Sequence, residues 1–326
     1  MADNSFKVFL NGNLVPHNQA TAGVNTVAFK YGCMAFEGIR GYWNERGRQL
    51  FVFRLNDHSQ RLEDSVRVMG MDTKLGSADF ADAVLRTLQA NAVTENVHIR
   101  QMVYVEGEGE MFTRGPIGHA IVVTPKAGWF GKNDGVHASV SNWQRITDNS
   151  IPPRVKCAAN YQNGRLALLQ ARTDGYDCTI LLNATGKVSE EPRGCLFLVR
   201  RNQIATPKIT DNILESITRD TLITLLQDVY NKRVVERDID RTELYLAQEI
   251  FLCGTGFEVV PVLSIDRHAV GSGKPGELTT ALRDSYLKAA SGEDDRYRHW
   301  LSPVHEKAKS GPVSVFQSPI ISLSDS

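Results

Sequence analysis

The chain has 326 residues, with 37 Lys+Arg balanced by 37 Asp+Glu and 42% hydrophobic composition. That length argues for two domains around a sizeable core, and zero net charge argues against a nucleic-acid or anionic-membrane footprint. Five scattered cysteines (Cys33, Cys157, Cys178, Cys195, Cys253) lack CxxC spacing, and neither a leader pattern nor a bilayer-length apolar run is evident, so the expectation is a soluble cytoplasmic protein with free thiols and no membrane partner.

Val8 to Val15 reads as two short strands around the turn Asn11-Gly12. Phe36 to Tyr42 and Leu50 to Phe53 read as further strands. Arg54 to Met69 reads as a helix with Leu62, Val66 and Met69 on one face, and Phe80, Val84 and Leu88 repeat every four residues as in an amphipathic helix. Val97 to Val105 and His119 to Thr124 return to strand-like composition. Residues 1–124 are therefore expected to form a small N-terminal α/β domain, followed by a turn-rich connector over 125–135.

A second strand series opens at Val136 to Val140. Asn163 to Thr173 predicts a helix that stops at Gly175. Thr179 to Leu182 and Cys195 to Val199 predict strands, Leu222, Leu225, Leu226 and Val229 a helix, and Glu249 to Cys253 a strand entering the tight loop Gly254-Thr255-Gly256. Residues 136–304 form the expected larger domain, and the Ser/Pro-rich 305–326 an expected disordered tail. The fold class expected is α+β or α/β in two domains.

Three residues carry a specific chemistry. Pyridoxal phosphate (PLP) requires an amine to condense with its aldehyde, a carboxylate to keep its pyridine nitrogen protonated, and a phenol suits its ring oxygen. Lys156, Glu190 and Tyr161 are the right types. On composition alone, Lys156 is equally a solvated strand-end charge. Tyr161 is equally a packing residue at a helix start, and Glu191 competes with Glu190. The start of the helix near Ile217-Thr218 suits an anion, because unpaired N–H groups and the dipole favour negative charge there, although Thr218 also reads as a plain N-cap.

The segments Phe36-Glu37-Gly38-Ile39-Arg40, His58-Ser59-Gln60-Arg61-Leu62, Asn160-Tyr161, Val188-Ser189-Glu190, Ile217-Thr218-Arg219-Asp220 and Gly254-Thr255, in this order, resemble those of the branched-chain amino acid aminotransferases. The resemblance spans about Phe6 to Pro303 and implies the two-domain PLP fold type IV architecture. It implies that Lys156 is the catalytic lysine. It implies that Arg61, Ile217, Thr218 and Thr255 hold the phosphate, that Leu214 packs on the ring, and that Tyr161 and Glu190 contact the ring oxygen and nitrogen. It further implies a substrate pocket of Tyr31, Phe36, Arg100, Trp129 and Gly256, and a homodimer in which Met111-Phe112 reaches the partner's site. The implied reaction moves an amino group between a branched-chain or hydrophobic L-amino acid and a 2-keto acid such as 2-oxoglutarate.

The chain departs from the family pattern at Glu191-Pro192-Arg193-Gly194-Cys195, where a Gly-rich run ending Gly-Glu-Asn is usual. Glu215 and Ser216 replace a Pro and a Gly, and Phe257 follows the Gly-Thr pair in place of a small residue. Lys126 stands where many relatives have Trp and His98 where they have Tyr. These departures keep three rival readings open: a transaminase for an unusual amino acid or amine, a PLP-dependent lyase, and a non-catalytic scaffold.

Overall fold

The computed structural model of the chain describes residues 6–126 and 135–305. Most of the expected connector, Trp129 included, and nearly all of the expected tail lie outside the described residues.

The first strands are β1 (Val8–Leu10) and β2 (Asn13–Val15). Asn11 and Gly12 close this hairpin at φ of 49° and 89°, a backbone that Asn and Gly adopt with least strain. Then come α1 (Val27–Tyr31), β3 (Met34–Asn44), β4 (Gln49–Phe53), α2 (Leu55–Val68), α3 (Ser77–Ala90), β5 (Val97–Val105) and β6 (Ile117–Pro125). Next are β7 (Val136–Gln144), α4 (Asn160–Thr173), β8 (Cys178–Leu182), β9 (Cys195–Arg200), β10 (Gln203–Thr206), α5 (Ile217–Tyr230) and β11 (Val234–Glu236). The described residues end with β12 (Glu249–Gly254), β13 (Glu258–Ile265), β14 (His268–Ala269), α6 (Glu277–Ser291) and β15 (Leu301–Pro303).

These strands form two sheets. One has seven strands in the order β15-β4-β3-β5-β6-β1-β2, and the other eight in the path β11-β10-β9-β12-β13-β7-β8, with β14 beside β13. The last strand among the described residues thus returns to the first sheet, pairing with β4.

Burial patterns explain the layers. In the first sheet, Leu50, Val52, Ile99 and Ile121 meet the helical stripe Val84 and Leu88 in one apolar cluster. In the second, the central strands are apolar on both faces, the pattern of a sheet covered on both sides. Leu196, Leu198, Ile250 and Leu252 face one core with Ile239 and Leu244. The alternate residues Cys195, Phe197, Phe251 and Cys253 face a second core with Leu222 and Leu226 of α5 and Leu282 and Tyr286 of α6.

A short backbone seam joins the two halves where the site forms. Ala35 of β3 makes an isolated antiparallel bridge to Cys157. No helix among the described residues is long and apolar enough to cross a membrane.

Candidate active site

Lys156 lies between β7 and α4, on a segment fixed from three sides. The Phe36 N–H donates to the Lys156 carbonyl (3.0 Å), and the Ala158 N–H to the Met34 carbonyl (2.8 Å). The Lys156 N–H donates to Ser65 Oγ of α2 (3.1 Å). Buried Asn160, first residue of α4, donates to the carbonyls of Pro152 (3.0 Å) and Val155 (2.8 Å) and so braces the same loop. These bonds satisfy backbone groups that a buried loop would otherwise leave unpaired. They aim Nζ at Tyr161 Oη, 2.7 Å away. The rings of Phe36 and Tyr161 lie 4.9 Å apart and flank the amine at 5.2 and 5.3 Å.

Glu190 lies between β8 and β9 and is buried. Its Oε1 accepts from Arg145 Nη2 (2.6 Å) and from the Leu214 N–H (3.2 Å), and its Oε2 has the Cys195 thiol at 3.6 Å. Burial pushes this carboxyl above its ordinary range, and Arg145 pulls the other way. The neighbouring Glu191 is fully buried too, but its carboxylate accepts from the Arg193 backbone N–H (2.6 Å), Nε (3.1 Å) and Nη2 (2.7 Å). Of the two acids, Glu190 lines the cavity and Glu191 does not.

Arg61 is held as a fixed fork. Its Nε and Nη2 donate to the two oxygens of Glu37 (2.7 and 2.8 Å), and its Nη1 to the Glu215 carbonyl (2.7 Å). His58 Nδ1 lies 2.7 Å from the same carboxylate. Burial alone would raise the Glu37 carboxyl, but Arg61 and His58 together hold it well below the usual carboxylate range. Helix α5 begins beside this fork at Ile217. Ser216 is its N-cap and accepts from the Arg219 N–H (3.2 Å).

These groups meet around one cavity of about 260 Å³. Of the residues expected from the sequence, it gathers Arg61, Lys156, Tyr161, Glu190, Leu214, Ile217, Thr255, Phe36, Arg100 and Gly256. Thr218 is buried in the first turn of α5 but does not line it. Tyr31 is exposed on α1 and stands outside it. Trp129 lies outside the described residues.

The lining also holds Arg145, which sequence reasoning missed. The signal was indirect: a buried acid such as Glu190 demands a cation, and Arg145 directly follows β7. Gly38 was not singled out for the lining either. A Cβ there would stand 3.1 Å from His98 Nε2, so the bare backbone makes room for that ring. Burial and the nearby charges of Arg100, Arg40 and Lys126 push His98 down to about 4, leaving it neutral near pH 7.

Residues 34–265 match the family model for amino-transferase class IV. The chain belongs to the class IV aminotransferases. A relative from this family, the probable branched-chain-amino-acid aminotransferase of Aquifex aeolicus, is 37% identical over 303 residues, covering 92% of this chain and 97% of its own. The branched-chain amino acid aminotransferase of Thermobaculum terrenum, crystallised in its PLP form, superposes with a TM-score of 0.88 at 39% identity, covering 93% of this chain and 99% of that one. The branched-chain aminotransferase of Thermoproteus uzoniensis, crystallised with norvaline, gives 0.88 at 36% identity, covering 92% and 99%. The two-sheet fold of this class IV aminotransferase is thus the fold type IV architecture expected from the sequence.

Proposed function

We propose that this chain is a PLP-dependent aminotransferase that moves an amino group between a branched-chain or other hydrophobic L-amino acid and a 2-keto acid such as 2-oxoglutarate. The observation that carries this reading is the Lys156 amine, 2.7 Å from a phenol and in one cavity with a buried carboxylate. The names of the relatives support the substrate class.

The residues fit PLP. Glu190 has one oxygen committed to Arg145 and Leu214, and the other bears a single weak thiol contact. Such a carboxylate at the cavity wall suits a protonated ring nitrogen. Arg61, the start of α5 and the Thr255-Gly256 turn offer cationic and N–H donors to a phosphate. Leu214 offers an apolar side chain to a ring face.

When bound, PLP supplies delocalisation for the electron pair left as the substrate Cα–H bond breaks. The protein groups do the rest. Lys156 Nζ would hold the cofactor through its aldehyde carbon and, once freed by the incoming substrate, would take the Cα proton as general base. Tyr161 orients Nζ through its hydroxyl. Phe36 and Tyr161 wall the amine off from water, which suits an aliphatic side chain, and Arg100, stacked on Phe36 at 4.7 Å, suits the second carboxylate of the 2-oxoglutarate partner.

We further infer a homodimer. Phe29, Tyr31, Met111 and Phe112 are exposed apolar side chains on α1 and the 107–116 loop, two segments tied by Lys30 Nζ to the Gly109 carbonyl (2.7 Å). In such a dimer Met111-Phe112 approaches the partner's cavity. Five free cysteines suit a reducing compartment such as the cytoplasm.

The test is spectroscopic. Purified protein mixed with PLP should gain a visible absorbance that borohydride fixes at Lys156, and L-leucine, L-isoleucine or L-valine should bleach it. A colourless protein that ignores PLP would refute the reading.

A further inference from the structure

Strands β3 and β5 pair so that Arg100 stands opposite Gly38 and His98 opposite Arg40. Alternate residues of a strand share a face, so Phe36, Gly38, His98 and Arg100 lie together on the face of the first sheet that fronts the cavity, and all four line it. On this face His98 leans from its own row toward Gly38. A Cβ on Gly38 would stand 3.1 Å from His98 Nε2 and 3.7 Å from its Cε1. The nitrogen-bearing edge of the ring thus takes the space that a side chain opposite Arg100 would fill. Arg100 leans the same way by one row, its guanidinium 4.7 Å over Phe36.

Among the described residues, the His98 ring makes no hydrogen bond, and the Arg100 guanidinium makes neither a hydrogen bond nor an ion pair. The charged groups around the ring are Arg100 on its own strand, Arg40 on β3, Lys126 just after β6 and Lys156 on the loop before α4. Glu258 of β13, the acid beside Arg40, is taken up by Arg40 Nη2 (3.1 Å) and the Tyr42 hydroxyl (3.0 Å). Burial and the cations push the ring down to about 4 and hold it neutral. A neutral imidazole still offers one N–H, and an anion placed beside it favours the protonated form, which donates from both nitrogens.

We propose that His98 is a specificity-determining residue that, beside Arg100, receives the side-chain carboxylate of a dicarboxylic substrate and takes up a proton as that carboxylate arrives. A branched aliphatic substrate brings no anion to this wall, so its binding leaves the imidazole neutral. Selection between the two substrate classes therefore shifts toward the dicarboxylic one as pH falls. This inference rests on the aminotransferase reading and adds to it the group that ties substrate choice to pH.

The experiment measures, by calorimetry, the binding of glutarate and of isocaproate to the PLP-loaded protein; these are unreactive carboxylates shaped like the acidic and aliphatic substrates. The glutarate-to-isocaproate affinity ratio of the wild type should rise by about three- to tenfold from about pH 8 to about pH 6, through proton linkage. Glutarate should also take up more proton per site than isocaproate, read from how the heat varies with the buffer's ionisation enthalpy. His98→Gln keeps an N–H donor but cannot titrate, so it should flatten the rise and remove the extra proton uptake. Should His98→Gln fail to fold, Gly38→Ala, whose Cβ crowds Nε2, should blunt the rise with the imidazole still present. A wild-type ratio that is flat with pH, or a rise that survives these variants, overturns the proposal alone while PLP stays bound. A wild type that binds no PLP overturns the aminotransferase reading with it.

Discussion

Arg145 Nη2 stands 2.6 Å from Glu190 Oε1, and both side chains are buried. The pair crosses from the end of β7 to the β8–β9 connection, so the two residues depend on the second sheet to meet. Burial already pushes the Glu190 carboxyl up, and Arg145 is the main group opposing it. Arg145→Met should therefore leave the buried carboxylate without its main counter-charge and shift it further toward protonation. The expected loss is about 3–5 kcal/mol in urea unfolding, since a broken buried pair strands one charge. Transamination should fall by about two orders of magnitude as the carboxylate fails its ring partner. Full activity in this variant would show that Glu190 is not the group that pairs with the pyridine nitrogen.

The amine–phenol contact gives a second expectation. Lys156→Ala should abolish both turnover and borohydride-fixed labelling, a loss of at least about a thousandfold. Tyr161→Phe removes only the hydroxyl 2.7 Å from Nζ. It should keep the label but lose about tenfold in rate, the worth of one hydrogen bond to a charged group. Peptide mapping after borohydride reduction separates the two, and a labelled Lys156→Ala protein would remove Lys156 from its proposed role.

Much of this was legible in the chain because single-period elements declare themselves. β5 spans Val97–Val105 as its composition predicts, and the stripe Phe80, Val84 and Leu88 is the buried face of α3. The helix at the cavity edge was placed slightly late, since Ser216 rather than Thr218 is its cap. Other parts depend on partners distant in sequence. β13 contains Pro261, which argues against a strand, yet Pro261 sits opposite Phe251 in the sheet. The start of α6 is held by Glu249, whose carboxylate accepts from the Leu278 and Thr279 N–H groups (3.2 and 2.9 Å). The chemical types Lys156, Tyr161 and Glu190 could be named from the sequence. Arg145 and the stacking of Arg193 on Phe257 could not, because charge pairing across elements and ring stacking leave no periodic trace.

Gly164 on α4 tests how tightly the cavity wall is packed. A Cβ at this position would stand 2.6 Å from Cβ of Pro192, which lines the cavity. Helix propensity alone predicts that Gly164→Ala stabilises by about 1 kcal/mol. Overpacking against a rigid ring predicts the opposite, a loss of about 1–3 kcal/mol. The second effect should win, because neither the helix backbone nor the proline ring can yield cheaply. Urea unfolding gives the sign directly, and a stabilised variant would mean that Pro192 moves freely.

His119 makes the fold's stability depend on pH in a defined window. Its ring is buried between Phe9 and Phe80, at 5.0 and 5.4 Å, and its Nε2 lies 3.0 Å from Gln101 Nε2, an amide that donates. The ring is therefore held neutral, and burial pushes it down to about 4. In the unfolded chain the same imidazole titrates near about 6.5. Between these values the unfolded state binds the extra proton, so stability should rise with pH across the window. Its contribution is full above about 6.5 and lost as pH falls toward 4, on the order of 3 kcal/mol in all. His98, pushed down to about 4 as well, adds a slope of the same sign. The Glu37 carboxyl, held low by Arg61 and His58, gives up its own contribution only below about 4.3, its ordinary unfolded value. His119→Gln keeps an acceptor for Gln101 but cannot take the proton, so it should flatten the rise between pH 5 and 6.5 by about one proton's worth and leave stability at pH 8 less affected. Urea midpoints for both proteins across pH 4.5–8 measure this, and parallel curves would place the titrating group elsewhere.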